Sequence, residues 1–167
     1  MYSKVRQTVV AGVLGAVSIL LAITGLGRIP MPTGVAATIM HVPAILAGIV
    51  EGPFTGAGVG LIFGVYSFLQ PLNPFFADPL VAVMPRFFIG ITAALAYRRS
   101  RRLWVAAVIG TITNTLGVLG MMVLRGHMPL LAVVPIAVSH GIPEIIVAVL
   151  LVGAIGRYLA LTGRKYR

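Results

Sequence analysis

Residues 78–102 read DPLVAVMPRFFIGITAALAYRRSRR, and this stretch decides the class of fold. Apart from one arginine, Arg86, its first part is apolar over about 20 residues, the length that a helix needs to cross a membrane. Asp78 is suited to cap such a helix, and Pro79 to occupy its first position. The apolar run stops at Tyr97, where four arginines follow: Arg98, Arg99, Arg101 and Arg102. The stretch therefore predicts one membrane-spanning helix that starts at Pro79 and ends at Tyr97.

The composition extends this conclusion to the whole chain. Of 167 residues, 59% are hydrophobic and 10% are charged, whereas soluble domains carry about 25% charged residues. A soluble chain of this size could not hide so much apolar surface. We therefore predict an integral membrane protein, which excludes a soluble enzyme or a DNA-binding module. The chain has no cysteine, so disulfides, cysteine zinc sites and thiol nucleophiles are also excluded.

Proline, glycine and charged residues divide the apolar sequence into six spans. We predict an all-α membrane protein with six transmembrane helices in one domain, residues 1–167. Thr33 is placed to cap the second span. The last apolar run is too long for one straight span, so Pro135 and Pro143 are expected to divide it. The expected spans are Val5–Leu26, Thr33–Val50, Pro53–Gln70, Pro79–Tyr97, Leu103–Leu124 and a sixth from about Ser139 within Leu130–Leu161.

The basic residues indicate an orientation rather than a nucleic-acid site. The net charge is +10, but the Lys and Arg residues cluster where spans end, as topology signals do. The opposite ends carry only Arg28 and Arg125. Both termini are therefore predicted to be cytoplasmic, with membrane lipid and no nucleic acid beside the basic ends. The cytoplasmic set is Lys4, Arg6, Arg98, Arg99, Arg101, Arg102, Arg157, Arg164, Lys165 and Arg167.

Arg86 is a charged residue at membrane depth. It lies eight residues beyond Asp78, about 12 Å below the outer end of its helix. A charge at such depth costs about 2.5–3.5 kcal/mol on insertion scales, so the side chain must face protein or water. Two roles are possible. Arg86 could form an ion pair with Asp78 or Glu144, or it could anchor the carboxylate or phosphate of a ligand.

Other polar residues fall at similar depths in other spans. His41 and Asn114 could be structural donors or ligand contacts. His140 and Glu144 are four residues apart and can share a helix face. Tyr66 lies near the outer end of span 3, where an interfacial role is expected by default. Because the inner half is almost free of polar groups, the sequence predicts a pocket that opens outward rather than a continuous pore.

Small residues recur at helical spacing in two spans. Gly52, Gly56, Gly60 and Gly64 line one face of span 3 and favour close packing against another helix. Span 1 carries two overlapping pairs, which could pack internally or present a flat face to a partner membrane protein. The pairs are Ala11 with Gly15, and Gly12 with Ala16.

The sequence lacks the motifs of an enzyme or of an ATPase. It has no P-loop, no H-E-x-x-H and no G-x-S-x-G, and its only acids are Glu51, Asp78 and Glu144. We expect no cofactor, no metal and no enzymatic activity. A self-sufficient channel or ion-coupled carrier is the main alternative to a binding subunit. A membrane-embedded transferase or phosphatase is a further one.

Several stretches resemble the substrate-binding S components of energy-coupling factor (ECF) vitamin transporters. The strongest is Asp78–Gly90. The others are Pro32-Thr33-Gly34, Ala37–Pro43, Gly52–Gly64 with Ser67-Phe68, Thr113-Asn114-Thr115 and Ile142-Pro143-Glu144. The resemblance covers nearly the whole chain. It implies a multi-pass protein of a prokaryotic cell membrane that binds a vitamin from outside, beneath loops between spans 1–2 and 3–4.

The resemblance also implies partners and site residues. An S component docks on a transmembrane coupling subunit that carries two ATPases, through an Ala-x-x-x-Ala pair in its first span. Either small-residue pair of span 1 stands in that place here. The candidate substrate-binding residues are Arg86, His41, Asn114, His140, Glu144, Tyr66 and Asp78.

The sequence favours a substrate with an anionic group, because a single arginine is expected inside the membrane. Pantothenate and a folate meet this condition, and pantothenate is the first choice. Aromatic residues are only 8% of the chain, which disfavours a pocket built on ring stacking. A pyrimidine precursor of thiamin and cobalamin stay open.

Overall fold

The computed structural model of the protein describes residues 2–30, 37–71 and 73–161. Most of these residues lie in six α-helices, which confirms the all-α class. The connections contain a two-stranded antiparallel hairpin, β1 (Arg28–Ile29) with β2 (Ala37–Thr38), and a short 3-10 helix, Pro74–Ala77. The α-helices are α1 (Tyr2–Ile23), α2 (Val42–Glu51), α3 (Pro53–Leu69), α4 (Pro79–Ser100), α5 (Leu103–Leu124) and α6 (Leu130–Leu161).

Helix length separates two groups. By length and composition, α1, α4, α5 and α6 are able to cross a membrane. The other two are shorter: α3 has 17 residues and α2 has 10, which correspond to about 26 and 15 Å. Since a hydrocarbon core is about 30 Å thick, α2 reaches through only half of it.

The α4 helix begins as its sequence predicts. The Asp78 side chain caps it, accepting a hydrogen bond from the Leu80 N–H at 3.0 Å, and Pro79 occupies the first position. The helix continues three residues beyond the expected end, to Ser100. Arg101 then adopts a left-handed conformation, with φ 56°, and ends it.

The expected second span, Thr33–Val50, is wrong in its first half. Helix α2 begins only at Val42, because Pro43 suits a first helical turn and disfavours helix before it. Upstream, Ala37 and Thr38 pair with β1 instead. His41 consequently precedes the helix and is not eight residues inside it. Thr33, the expected cap, lies outside the described residues.

The expected division of the last apolar run is also wrong. Helix α6 is continuous from Leu130 to Leu161, with Pro135 and Pro143 inside it. Membrane helices tolerate proline where polar side chains and neighbouring helices satisfy the freed backbone groups.

The glycines of α3 pack closely against another helix, α4, as their spacing predicts. A Cβ atom added at Gly56 would lie 2.7 Å from the Cα of Gly90, and one at Gly64 would lie 2.9 Å from the Cα of Val83. One at Gly60 would collide with the Arg86 backbone carbonyl. The two backbones therefore touch, and this contact fixes the position of Arg86. Gly52 has a different role, because its φ of 101° forms the turn between α2 and α3.

The short helix α2 is the centre of the packing. It contacts each of the other five helices, and nine of its ten residues are buried. Its Ile45 and Ile49 lie with Ile89 of α4 and Val152 of α6 in a closed apolar core. This core fills the half of the protein next to the basic helix ends.

Charged groups mark the two ends of the bundle. The arginines at 98–102, Lys4 and Arg6 lie at one end, where Arg6 pairs with Glu51 at 2.5 Å. Arg28 and Arg125 lie at the other end. This distribution agrees with the charge asymmetry from which the cytoplasmic position of the termini is predicted.

A cysteine placed at Ser100 tests this orientation in a chain that has no cysteine of its own. We expect a membrane-impermeant maleimide to leave Ser100→Cys unlabelled in intact cells and to label it after lysis, because basic ends favour the cytoplasm. Leu26→Cys, at the opposite end and exposed, is the matched control and should react in intact cells. Labelling of Ser100→Cys from outside would contradict the orientation.

The glycine contact between α3 and α4 predicts a stability difference between two alanine variants. Gly60→Ala should lower the free energy of unfolding in detergent by about 1–3 kcal/mol, because its methyl group meets the α4 backbone. Gly153→Ala has open space around it and should raise the same free energy by about 0.5–1 kcal/mol through helix propensity. Equal effects would show that α3 and α4 are not in backbone contact.

Candidate functional site

A cavity of about 450 Å³ lies between the helix ends that are opposite the basic clusters. The outer halves of α3, α4, α5 and α6 form its walls, together with the β1–β2 hairpin and the 3-10 helix. Apolar atoms contribute most of the lining surface, although about half of the lining residues are polar. The polar lining residues are Arg28, Thr38, Tyr66, Ser67, Gln70, Asn73, Arg86, Asn114, Thr115, His140 and Glu144. The closed apolar core lies between the cavity and the basic helix ends. That the cavity faces the outside of the cell stays a prediction.

Arg86 is a buried cation on the cavity wall, with only 4% of its surface exposed. Its Nη1 donates to the Val81 carbonyl at 2.7 Å, and its guanidinium carbon lies 4.4 Å from the Phe76 ring centroid and 5.5 Å from that of Phe63. Its Nε has no hydrogen-bond partner. Among the described residues, no carboxylate lies within 4.0 Å of the guanidinium nitrogens.

Neither predicted ion-pair partner lies within 4.0 Å of the Arg86 guanidinium nitrogens. Asp78 instead pairs with Arg125 at 2.6 Å and lies 3.1 Å from His127 Nε2, in a surface depression outside the cavity. The hydrogen bond from Arg125, with a second from His127, lowers the pKa of Asp78 to about 2, so this carboxylate is charged at neutral pH. Asp78 therefore does not line the cavity.

Glu144 accepts hydrogen bonds at both of its oxygens. One oxygen is 2.8 Å from the Thr38 backbone nitrogen and 2.8 Å from the Thr38 hydroxyl, and the other is 2.9 Å from the Thr115 hydroxyl. The carboxylate thereby joins α6 to the hairpin and to α5. Glu144 therefore has a structural role and also lines the cavity.

Asn114 and His140 bring unpaired polar atoms to the wall. Asn114 Oδ1 and His140 Nε2 are buried and have no hydrogen-bond partner. The other ring nitrogen of the histidine, Nδ1, lies 3.0 Å from the Ile136 carbonyl oxygen. A buried polar atom without a partner costs about 1–3 kcal/mol, so these atoms are suited to receive a polar ligand.

The remaining predicted residues divide between the cavity and the interior. Tyr66 lines the cavity. His41 does not: it is fully buried beside the cavity, and its Nε2 lies 3.0 Å from the Thr111 hydroxyl. The short α2 explains the difference, because His41 lies at the start of that helix and points to α5.

Several lining residues were not singled out from the sequence. Arg28 was counted only as an outer topological charge, yet it reaches the cavity and donates to the Ala22 carbonyl at 3.4 Å. Arg28 is one of only two basic residues predicted at the outer helix ends, and this rarity was the signal that could have identified it as a cavity residue. Thr38 and the aromatic rings of Phe63, Phe75 and Phe76 carried no comparable signal.

The two small-residue pairs of α1 face different directions. A Cβ atom at Gly15 would lie 2.7 Å from the Ile62 side chain, and Ala11 packs against the core, so this pair faces α3. Gly12 and Ala16 are exposed, and a Cβ atom at Gly12 would meet nothing within 4 Å. The outward face of α1 is therefore the one with Gly12 and Ala16.

Comparison with known proteins identifies the family. The family of substrate-specific components of ECF transporters matches residues 6–156. One curated relative, the pantothenic acid transporter PanT of Lactococcus lactis subsp. cremoris, is 29% identical over 152 residues, which cover 74% of this chain and 78% of the relative.

The match includes residues of all six helices and every residue that lines the cavity. The matched family is a transporter component of the cell membrane and not an enzyme family. This chain belongs to the family of substrate-specific components of ECF transporters.

Proposed function

We propose that this chain is the vitamin-binding subunit of an ECF importer, with pantothenate as its substrate. The observation that carries the proposal is Arg86, a buried cation on a cavity wall with an unpaired Nε and no carboxylate partner among the described residues. An anionic ligand would supply the missing charge and accept a hydrogen bond from Nε.

Pantothenate suits the cavity in size and in chemistry. The volume of about 450 Å³ is typical of small-molecule sites and is too small for a corrinoid. The pantothenate carboxylate would pair with Arg86. Its amide and hydroxyl groups would meet the unpaired atoms of Asn114 and His140. The name of the PanT relative supports the same substrate.

A folate is the second candidate, because the cavity is richer in aromatic rings than the overall composition suggests. Phe63, Tyr66, Phe75 and Phe76 all line it. Two of them, Phe63 and Phe76, already contact the guanidinium of Arg86. Pantothenate is preferred because it needs no aromatic stacking partner.

Release to the inside is proposed to need a coupling module. Below the cavity, Ile45, Ile49 and Ile89 are at most 1% exposed and form a closed core, which disfavours the alternative of a self-sufficient channel or carrier. We place the docking site for the transmembrane coupling subunit, with its two ATPases, on the exposed Gly12 and Ala16 face of α1. A face of small residues allows another helix to approach closely.

Replacing Arg86 tests the anionic substrate. Arg86→Ala should weaken pantothenate binding at least tenfold, about 1.4 kcal/mol, because the ligand loses the buried counter-charge that Arg86 supplies. Arg86→Lys should recover part of the loss, since a lysine keeps the charge without the planar fork. Isothermal titration calorimetry on monodisperse protein in detergent measures both.

Arg125→Ala is the matched control for that experiment. Arg125 lies at the same end of the bundle but outside the cavity, where it pairs with Asp78. Its replacement should leave the pantothenate affinity within twofold of the unsubstituted protein. Unchanged affinity in Arg86→Ala would remove the case for an anionic substrate.

Substituting the outward face of α1 tests docking separately from binding. Gly12→Leu and Ala16→Leu should abolish uptake in cells that carry the coupling module, while calorimetric affinity stays unchanged, because a bulky side chain prevents close helix approach. Val13→Leu, an exposed control on the same helix, should transport normally. If Gly12→Leu lost binding and transport equally, this face would not be the docking site.

A further inference from the structure

Three buried polar side chains line the cavity, one on each of three consecutive helices. Arg86 lies on α4, Asn114 on α5 and His140 on α6. Helix α5 packs against both α4 and α6, so Asn114 occupies the middle helix of the three. Counted from the outer helix ends at 1.5 Å per residue, all three lie about 10–15 Å deep. They form one polar layer with a cation on the first helix and a histidine on the last.

The geometry around His140 fixes what its free nitrogen can do. His140 Nδ1 lies 3.0 Å from the Ile136 carbonyl oxygen and 3.1 Å from the Ser139 hydroxyl. A carbonyl oxygen only accepts hydrogen bonds, and the Ser139 hydroxyl donates to the same carbonyl, so the tautomer with the proton on Nδ1 satisfies all three groups. In the neutral ring Nε2 is then an acceptor. That atom is buried without a partner, in a residue that is 8% exposed. In this tautomer a ligand group with an O–H or N–H would satisfy it.

We propose that His140 determines specificity by accepting a hydrogen bond from a hydroxyl group at the end of the ligand that is remote from its carboxylate. This inference rests on the proposed function, and it adds a direction to the bound substrate. The carboxylate lies at α4 beside Arg86, and the hydroxyl end lies at α6 beside His140.

The functional groups of pantothenate follow one another in the same order as the polar residues on α4, α5 and α6. It carries a carboxylate at one end, an amide in the middle, and a secondary and a primary hydroxyl beside two methyl groups at the other end. Asn114, on the middle helix, is placed for the amide. Ile136 lies one helical turn from His140 and also lines the cavity, which gives the methyl groups an apolar neighbour.

The test combines ligand and protein changes in one cycle. Calorimetry would measure pantothenate and three analogues, each lacking one donor: the secondary deoxy, the primary deoxy and the N-methyl amide compound. Each would be titrated into the unsubstituted protein, His140→Phe and His140→Gln. The Phe variant removes the hydrogen-bond acceptor but keeps a ring. The Gln variant restores an acceptor, so recovery of binding in it would show that the loss in the Phe variant is not caused by misfolding.

We expect one deoxy analogue to bind the unsubstituted protein at least tenfold more weakly than pantothenate does. His140→Phe should weaken pantothenate by a similar factor without weakening that analogue further. His140→Gln should recover part of the pantothenate affinity. Such non-additivity identifies a direct contact, because independent effects would add.

Three results would overturn the inference while leaving the proposed substrate intact. The first is that His140→Phe weakens the binding of all four ligands equally. The second is that His140→Phe weakens the binding of none of them. The third is that the effects of His140→Phe and of the ligand change are non-additive for the N-methyl compound alone. A complete lack of pantothenate binding to the unsubstituted protein would instead overturn the proposed substrate, and the inference with it.

Discussion

The hydrogen bonding of one non-helical segment inside the bundle is the constraint on which the site depends. Ala37 is fully buried and Met40 is 3% exposed, yet neither belongs to a helix. Backbone groups at membrane depth need internal partners. Pairing of β2 with β1 supplies some, and Glu144 supplies another by accepting from the backbone nitrogen and the hydroxyl of Thr38, both at 2.8 Å. This arrangement lets α2 be short, and space remains above it for the cavity.

The charge of Arg86 is the basis of the proposed selectivity of the cavity for an anionic ligand. The three acids of the chain are each engaged by other groups: Glu51 by Arg6, Asp78 by Arg125, and Glu144 by two threonines. None of the three lies within 4.0 Å of the Arg86 guanidinium, whose Nε has no hydrogen-bond partner among the described residues. The α3–α4 glycine contact holds the backbone of that residue in place, so an incoming anion meets a preorganised cation.

The sequence predicted the features that depend on composition and local chemistry. Hydrophobic runs indicated the membrane class, Asp78 and Pro79 the start of α4, and the spacing of Gly56, Gly60 and Gly64 a close helix contact. It failed where tertiary contacts override local preference. The segment before α2 is held by the Thr38–Glu144 hydrogen bonds, whose residues are 106 positions apart, and this distance explains why Thr38 was missed. The start of α2 at Val42 had a local signal in Pro43, and His41 was assigned to the cavity because the span was expected to begin earlier, at Thr33. That Gly12 faces away from the bundle could be determined only from the packing of α1 on α3, which the sequence does not show.

The most direct test of the account is to identify what the protein carries when purified. The chain, extracted in mild detergent from cells grown with pantothenate and without any coupling subunit, would be denatured and its small molecules analysed by mass spectrometry. The account predicts pantothenate at about one molecule per chain, and a lower occupancy in Arg86→Ala. A bound ligand without an anionic group, such as a thiamin pyrimidine, at the same stoichiometry would contradict it.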